Sequence, residues 1–134
     1  MMTGRATFLR HLHWVGIAMF LLLAVSAERA FASGETTTTN AEIAHLMKFL
    51  RSSGCDFNRN GSWYVPAEAH DHILKKLDYL RGRATIPSAE YFIRDAASRS
   101  SMSGKLYQVR CPGTPVQECR TWLSDELKLL RSRP

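Results

Sequence analysis

No apolar run in this 134-residue chain is long enough to cross a bilayer. The longest, Trp14–Val25 (WVGIAMFLLLAV), falls well short of the about 20 residues that a spanning helix needs. Cysteine is scarce: Cys55, Cys111 and Cys119 are the only three, and they form no C-x-x-C pair. No H-x-x-x-H pair occurs either, which excludes the usual zinc frameworks. Lys and Arg form no block. The 18 basic residues are interspersed with 12 acidic ones for a net charge of +6, the pattern of a solvated surface rather than of a nucleic-acid grip. The G-x-x-x-x-G-K-[ST], G-x-S-x-G and S-x-x-K patterns are all missing, so neither a phosphate loop nor a familiar serine nucleophile is signalled. There are no internal repeats.

What the N-terminus does have is a basic start (Arg5, Arg10), the short apolar run, and small residues at Ser26-Ala27 and Ala30-Phe31-Ala32. These are the three parts of a secretory signal. Residues 1–32 are therefore expected to be a signal peptide cleaved after Ala32, with Ala27 as the alternative site. Arg5 and Arg10 are not adjacent and no cysteine lies near the cleavage site, which argues against twin-arginine export and lipid anchoring. Cleavage leaves about 100 residues, the size of a single domain. It also removes three Arg and one Glu, taking the formal charge from +6 to +4. The expectation is export to the periplasm, no stable membrane insertion after cleavage, and no nucleic-acid partner.

In an oxidising compartment three cysteines imply one bridge and one spare thiol. Cys55–Cys111 would close a long loop and tie two expected strands together. Cys111–Cys119 would close a short one. The long loop constrains the unfolded chain more, and Cys119 falls where a helix opens and a small buried residue serves, so Cys55–Cys111 is favoured.

Ser33 to Thr38 is polar and repetitive and is expected to be a disordered lead-in over 33–38. A single domain follows over 39–134. Thr39-x-x-Glu42 forms a capping box, and Ile43, Leu46, Met47 and Leu50 recur at helical spacing up to Gly54. Cys55–Phe57 and Ser62–Val65 are rich in strand formers around Asn60-Gly61, a strong hairpin signal. Pro66 opens a second helix with an Ala69, Ile73, Leu77 and Leu80 stripe, ended by Gly82. Ser88 caps a third, with Ala89, Phe92, Ile93 and Ala96 facing inward. A Ser-rich loop spans 98–105, Leu106–Cys111 alternates as a strand, and a last helix is expected from about Pro115 to Arg131 with Val116, Cys119, Trp122, Leu123, Leu127 and Leu130 inward. The order α-β-β-α-α-β-α implies an α+β fold: a hairpin plus one strand, packed by about four helices.

Two blocks carry a family resemblance. One is Ser53-Gly54-Cys55-x-Phe57-x-Arg59-Asn60-Gly61, with Glu68-Ala69 and His72 after it. The other runs from Ala89-Glu90-x-Phe92-Ile93 through Ala97-Ser98-x-Ser100-Ser101-x-Ser103-Gly104-Lys105-x-Tyr107 to Cys111. With Trp122-Leu123 they resemble the YfeK-like family of small exported bacterial proteins of unknown function. The resemblance implies a periplasmic address in a Gram-negative cell and no particular activity. It supports Cys55 and Cys111 as the bridged pair and carries nothing over to Cys119.

The Ser-rich loop is the candidate binding segment. Ser100, Ser101, Ser103, Gly104, Lys105 and Tyr107, together with Arg59 at the hairpin, offer hydroxyls, a turn and two cations to a polar or anionic ligand. Against this, the loop follows a helix C-terminus, where hydroxyls and cations also serve to cap carbonyls. Ser103-Gly104-Lys105-Leu106-Tyr107 is similar to the S-G-x-x-Y loop that several bacterial lysozyme inhibitors present, although a charge of +4 suits a basic lysozyme poorly. His70 and His72 are two apart on a helix and do not share a face, so no metal site is expected. No cofactor and no catalytic residue is expected. The leading expectation is a non-enzymatic periplasmic binding or interaction module, with an envelope protein or cell-wall component as partner. The alternatives are a small envelope hydrolase and a structural accessory protein of the envelope.

Overall fold

The computed structural model describes residues 29–134, with side chains from residue 37 onward. The signal-peptide expectation lies almost entirely outside the described residues, Ala27 included. The chain divides into two units, Met1–Gly34 and Glu35–Pro134. Of the first, only the opening of helix α1 is described. The described residues form four helices and four strands in the order α1 (Arg29–Ser52), β1 (Asp56–Arg59), β2 (Ser62–Tyr64), α2 (Pro66–Arg81), α3 (Ala89–Asp95), β3 (Gln108–Arg110), β4 (Gln117–Glu118) and α4 (Cys119–Ser132). This is the α+β class read from the sequence, with one strand more. No helix among the described residues is long and apolar enough to cross a membrane.

The hairpin forms where Asn60-Gly61 places it. Asn60 (φ 53°) and Gly61 (φ 89°) both adopt the left-handed conformation that a two-residue type I′ turn demands, and Asn and Gly reach it at least cost. The sheet is antiparallel in the order β2-β1-β3-β4. Phe57 pairs with Tyr64 on one side and Val109 on the other, while Asp56 faces Arg110 and Asn58 faces Gln108. Phe57 and Val109 turn inward and are buried, and Asp56, Asn58, Gln108 and Arg110 sit on the outer face. On that face Arg110 lies 4.2 Å over the Trp63 ring and donates to Asp56 at 3.0 and 3.1 Å.

The core forms along the expected stripes. Ile43, Leu46, Met47 and Leu50 of α1 are buried, as are Ala69, Ile73 and Leu77 of α2 and Ala89, Phe92 and Ile93 of α3. Pro66 opens α2, and the Ser88 hydroxyl accepts from the Tyr91 N–H at 3.1 Å to cap α3. At the far end Arg131 of α4 grips both carboxylate oxygens of Glu42 (2.7 and 3.0 Å) and one of Glu90, joining α1, α3 and α4. That pairing holds the Glu90 carboxyl below its ordinary pKa.

Two boundaries differ from the sequence reading. First, α1 begins at Arg29, so Ser33–Thr38 is helical rather than a disordered lead-in, and the Thr39 capping box lies inside the helix. No proline stops the helix there, and a helix nucleated downstream propagates backward with one new hydrogen bond per residue fixed. Second, the last helix starts at Cys119 rather than Pro115. The residues before it form β4, whose Gln117 pairs with Val109 and Glu118 with Gln108. The ladder captures the segment before the helix can extend into it, and Val116 is left exposed instead of joining the core.

Cys55 and Cys111 are bridged, across a separation of 56 residues, and Cys119 is a free, buried thiol. Burial pushes the Cys119 thiol pKa up to about 12. Replacing both bridged cysteines with serine is expected to lower the unfolding free energy, measured by urea titration, by about 4 kcal/mol in the chain-entropy model. Peptide mapping without reductant should yield a Cys55–Cys111 peptide. A Cys111–Cys119 peptide would contradict the assignment.

Candidate functional site

The hairpin, one flank of α2 and the Ser-rich loop enclose a cleft of about 480 Å³, within the range of small-ligand sites. The hairpin supplies Arg59, Asn60, Ser62 and Tyr64, and α2 supplies His72 and Lys76. The loop supplies Ser100, Ser101 and Met102, and Tyr107 completes the lining. Among the described residues, no carboxylate lines it.

The loop is built by its own hydroxyls. Ser100 N–H donates to the Lys105 carbonyl and Gly104 N–H to the Ser100 carbonyl, both at 2.9 Å. Gly104 stands at φ +72°, where a side chain would be strained. Ser103 N–H donates to Ser100 Oγ, and Lys105 N–H to Ser103 Oγ, each at 3.3 Å. Asn60 then ties this loop to the hairpin: its amide donates to Ser100 Oγ at 3.4 Å, and its carbonyl accepts from Ser103 Oγ at 2.6 Å. The hairpin residue that makes the tight turn thus also anchors the facing wall of the cleft. Ser98 does something else. Its hydroxyl donates to the Ile93 carbonyl and closes the last turn of α3, the capping role weighed for this loop.

Tyr107 is buried, and its hydroxyl lies 3.0 Å from His72 Nε2. Burial and the nearby Arg59, Lys76 and Lys75 lower the His72 pKa, so the ring is neutral at physiological pH. Burial raises the Tyr107 pKa, so the phenol keeps its proton. Lys76 donates to the Arg99 carbonyl at 2.7 Å, which leaves two of its three N–H groups for another partner. Its Nζ stands 5.1 Å from the Tyr107 ring centre, and the Arg59 guanidinium 4.6 Å from that of Tyr64. Burial is also the main reason the Lys76 pKa is lowered, with Asp95 acting the other way.

Of the residues singled out from sequence, Arg59, Ser100, Ser101 and Tyr107 line this cleft. Ser103 and Gly104 shape the loop behind it. Lys105 is exposed and stands outside the lining. In the S-G-x-x-Y segment Tyr107 is buried, so the solvent-facing part of the segment ends at Leu106. His70 and His72 part company as expected: His70 lies 3.0 Å from Asp71, while His72 turns to Tyr107. Lys76 and the place of His72 in the cleft were missed. Their signal was present, since His72 and Lys76 stand four apart beside the Ala69–Ile73–Leu77 stripe, the spacing that puts two side chains on one flank.

Ser100 Oγ accepts from Asn60 and from the Ser103 amide, and Ser103 Oγ donates to Asn60, so both hydroxyls are engaged in holding the loop. His72 Nε2 is engaged with the Tyr107 phenol.

Fold and site together define a small disulfide-bridged α+β domain with a cationic cleft. Residues 37–131 match a family of unknown function, DUF5329, and the chain belongs to that family. No curated protein and no solved structure matches it.

Two outcomes follow from this geometry. Ser98→Ala should cost on the order of 1 kcal/mol in urea titration, because a buried hydrogen bond is lost, whereas exposed Ser101→Ala should stay within about 0.5 kcal/mol. The second concerns pH. The folded pKa of His72 lies below its unfolded value of about 6.5, so the unfolded chain binds the proton more readily. Stability should therefore fall as pH drops from about 6.5 through the folded pKa, and this component should vanish in His72→Gln. Comparing the two pH profiles checks it, and NMR titration of Lys76→Met should show the His72 pKa moved upward.

Proposed function

We propose that the protein is a non-enzymatic binding module of the periplasm, whose recognition surface is the cleft between the hairpin, α2 and the Ser-Gly-Lys loop, and that it takes an anionic ligand. The observation that carries this reading is the pair Arg59 and Lys76 on one cleft whose lining holds no carboxylate. Two cations held near a half-buried neutral histidine and a buried phenol pay a desolvation cost that an anion relieves. The surrounding amides and hydroxyls of the loop add neutral donors that orient such a group. Two acids stand near this lining without joining it: Glu68 borders the adjoining recess, and Asp95 acts on Lys76 from α3.

Export is supported by the Cys55–Cys111 bridge, since such bridges persist in oxidising compartments. The N-terminal signal pattern and the YfeK-like resemblance point the same way, to the envelope of a Gram-negative cell. An envelope protein or a cell-wall component is then the source of the ligand.

The test is an NMR titration of the purified protein with N-acetylglycine and with inorganic phosphate, with methylammonium as the cationic control. The anions should shift the amides of Asn60, Ser100 and Ser101 and raise the His72 pKa, because a bound negative charge offsets Arg59 and Lys76. Arg59→Ala and Lys76→Ala should each weaken binding about tenfold, the loss of one charge-assisted contact. If neither anion moves a cleft amide, the reading is wrong.

A further inference from the structure

Behind the cleft lies a second, smaller cavity of about 20 Å³. It shares Arg59, Tyr64, His72 and Tyr107 with the cleft as common walls. Of its other walls, Phe57, Ala69, Ile73 and Cys119 are buried and apolar, while Asn58 and Glu68 are polar. A space of this size holds about one water or one methyl group. Polar groups stand at its edges, but the surface that faces it is mostly apolar, which favours the methyl. Glu68 also borders the recess, so a negative charge is repelled from it and kept on the side of Arg59 and Lys76. The two cavities together therefore specify a ligand with an anion at one point and a methyl-sized apolar group close beside it.

We propose that the cleft binds a carboxylate whose neighbouring carbon carries a methyl group, as at the C-terminal alanine of a peptide, with the carboxylate at Arg59 and Lys76 and the methyl in the recess. This rests on the anion-binding reading above and adds the chemical class of the ligand. A larger side chain does not fit 20 Å³ without displacing Phe57 or Ile73. Two sources offer such an end: polypeptides ending in L-alanine, and cell-wall stem peptides ending in D-alanine.

The experiment is a titration series on the purified protein with N-acetylglycine, N-acetyl-L-alanine, N-acetyl-D-alanine and N-acetylphenylalanine, followed by NMR. One alanine enantiomer should bind about fourfold tighter than the glycine compound, the gain from burying one methyl. The phenylalanine compound should bind no tighter than glycine. The alanine methyl should give nuclear Overhauser effects to the methyls of Ala69 and Ile73. Preference for the L form assigns protein C-termini, and preference for the D form assigns cell-wall peptides. Equal affinity across the series, or alanine selectivity without contacts to Ala69 and Ile73, overturns the methyl recess while leaving an anion site standing. Failure of every carboxylate while inorganic phosphate still binds overturns the carboxylate assignment alone, and failure of phosphate as well overturns the anion-binding reading itself.

Discussion

The pairing of β1 with β3 is the constraint on which the rest of the molecule depends. It consists of three residue pairs, Asp56 with Arg110, Phe57 with Val109 and Asn58 with Gln108. So short a ladder fixes its register weakly by itself, and a slip of one residue would turn Phe57 and Val109 out of the core. The Cys55–Cys111 bridge stands immediately beyond one end and removes that freedom. The cleft stands immediately beyond the other end, where Arg59 and Tyr107 leave the ladder. The covalent bond and the cleft thus sit at opposite ends of the same few residues. Whatever holds the first in register also positions the second.

Asn60 extends this logic to the loop. A turn residue ordinarily serves only its own hairpin. Here the left-handed backbone of Asn60 aims its amide across the cleft, where it meets both Ser100 and Ser103. The loop is consequently a second wall rather than a free flap. The walls bring together groups that disfavour one another's charge, since Arg59, Lys75 and Lys76 all depress the basicity of His72.

Local chemistry explains why most of the fold was legible in the sequence. Asn60-Gly61, Pro66, Ser88 and the apolar stripes of the first three helices each specify a backbone state through residues a few positions apart. What escaped was decided by partners far away in sequence. Gln117 and Glu118 carry no strong strand signal and become β4 because β3 offers an open edge. The start of α1 escaped for the opposite reason: a good capping box at Thr39 marks a possible start without preventing the helix from running on. In the site, the loop was recognisable by its composition, and Arg59 by its place at the hairpin. His72 and Lys76 share a flank of α2, but only the tertiary fold shows that this flank faces Tyr107 and the loop.

Three cysteines around one bridge create a problem of bookkeeping during folding, because a wrong partner is always at hand. The burial of Cys119 at the start of α4 closes that problem once the native state is reached. A thiol with a pKa of about 12 is ionised in only about one molecule in ten thousand at pH 8, and the thiolate is the species that attacks a disulfide. Scrambling is therefore confined to the time before α4 docks. After docking, the native bridge is protected from the spare sulfur in its own chain.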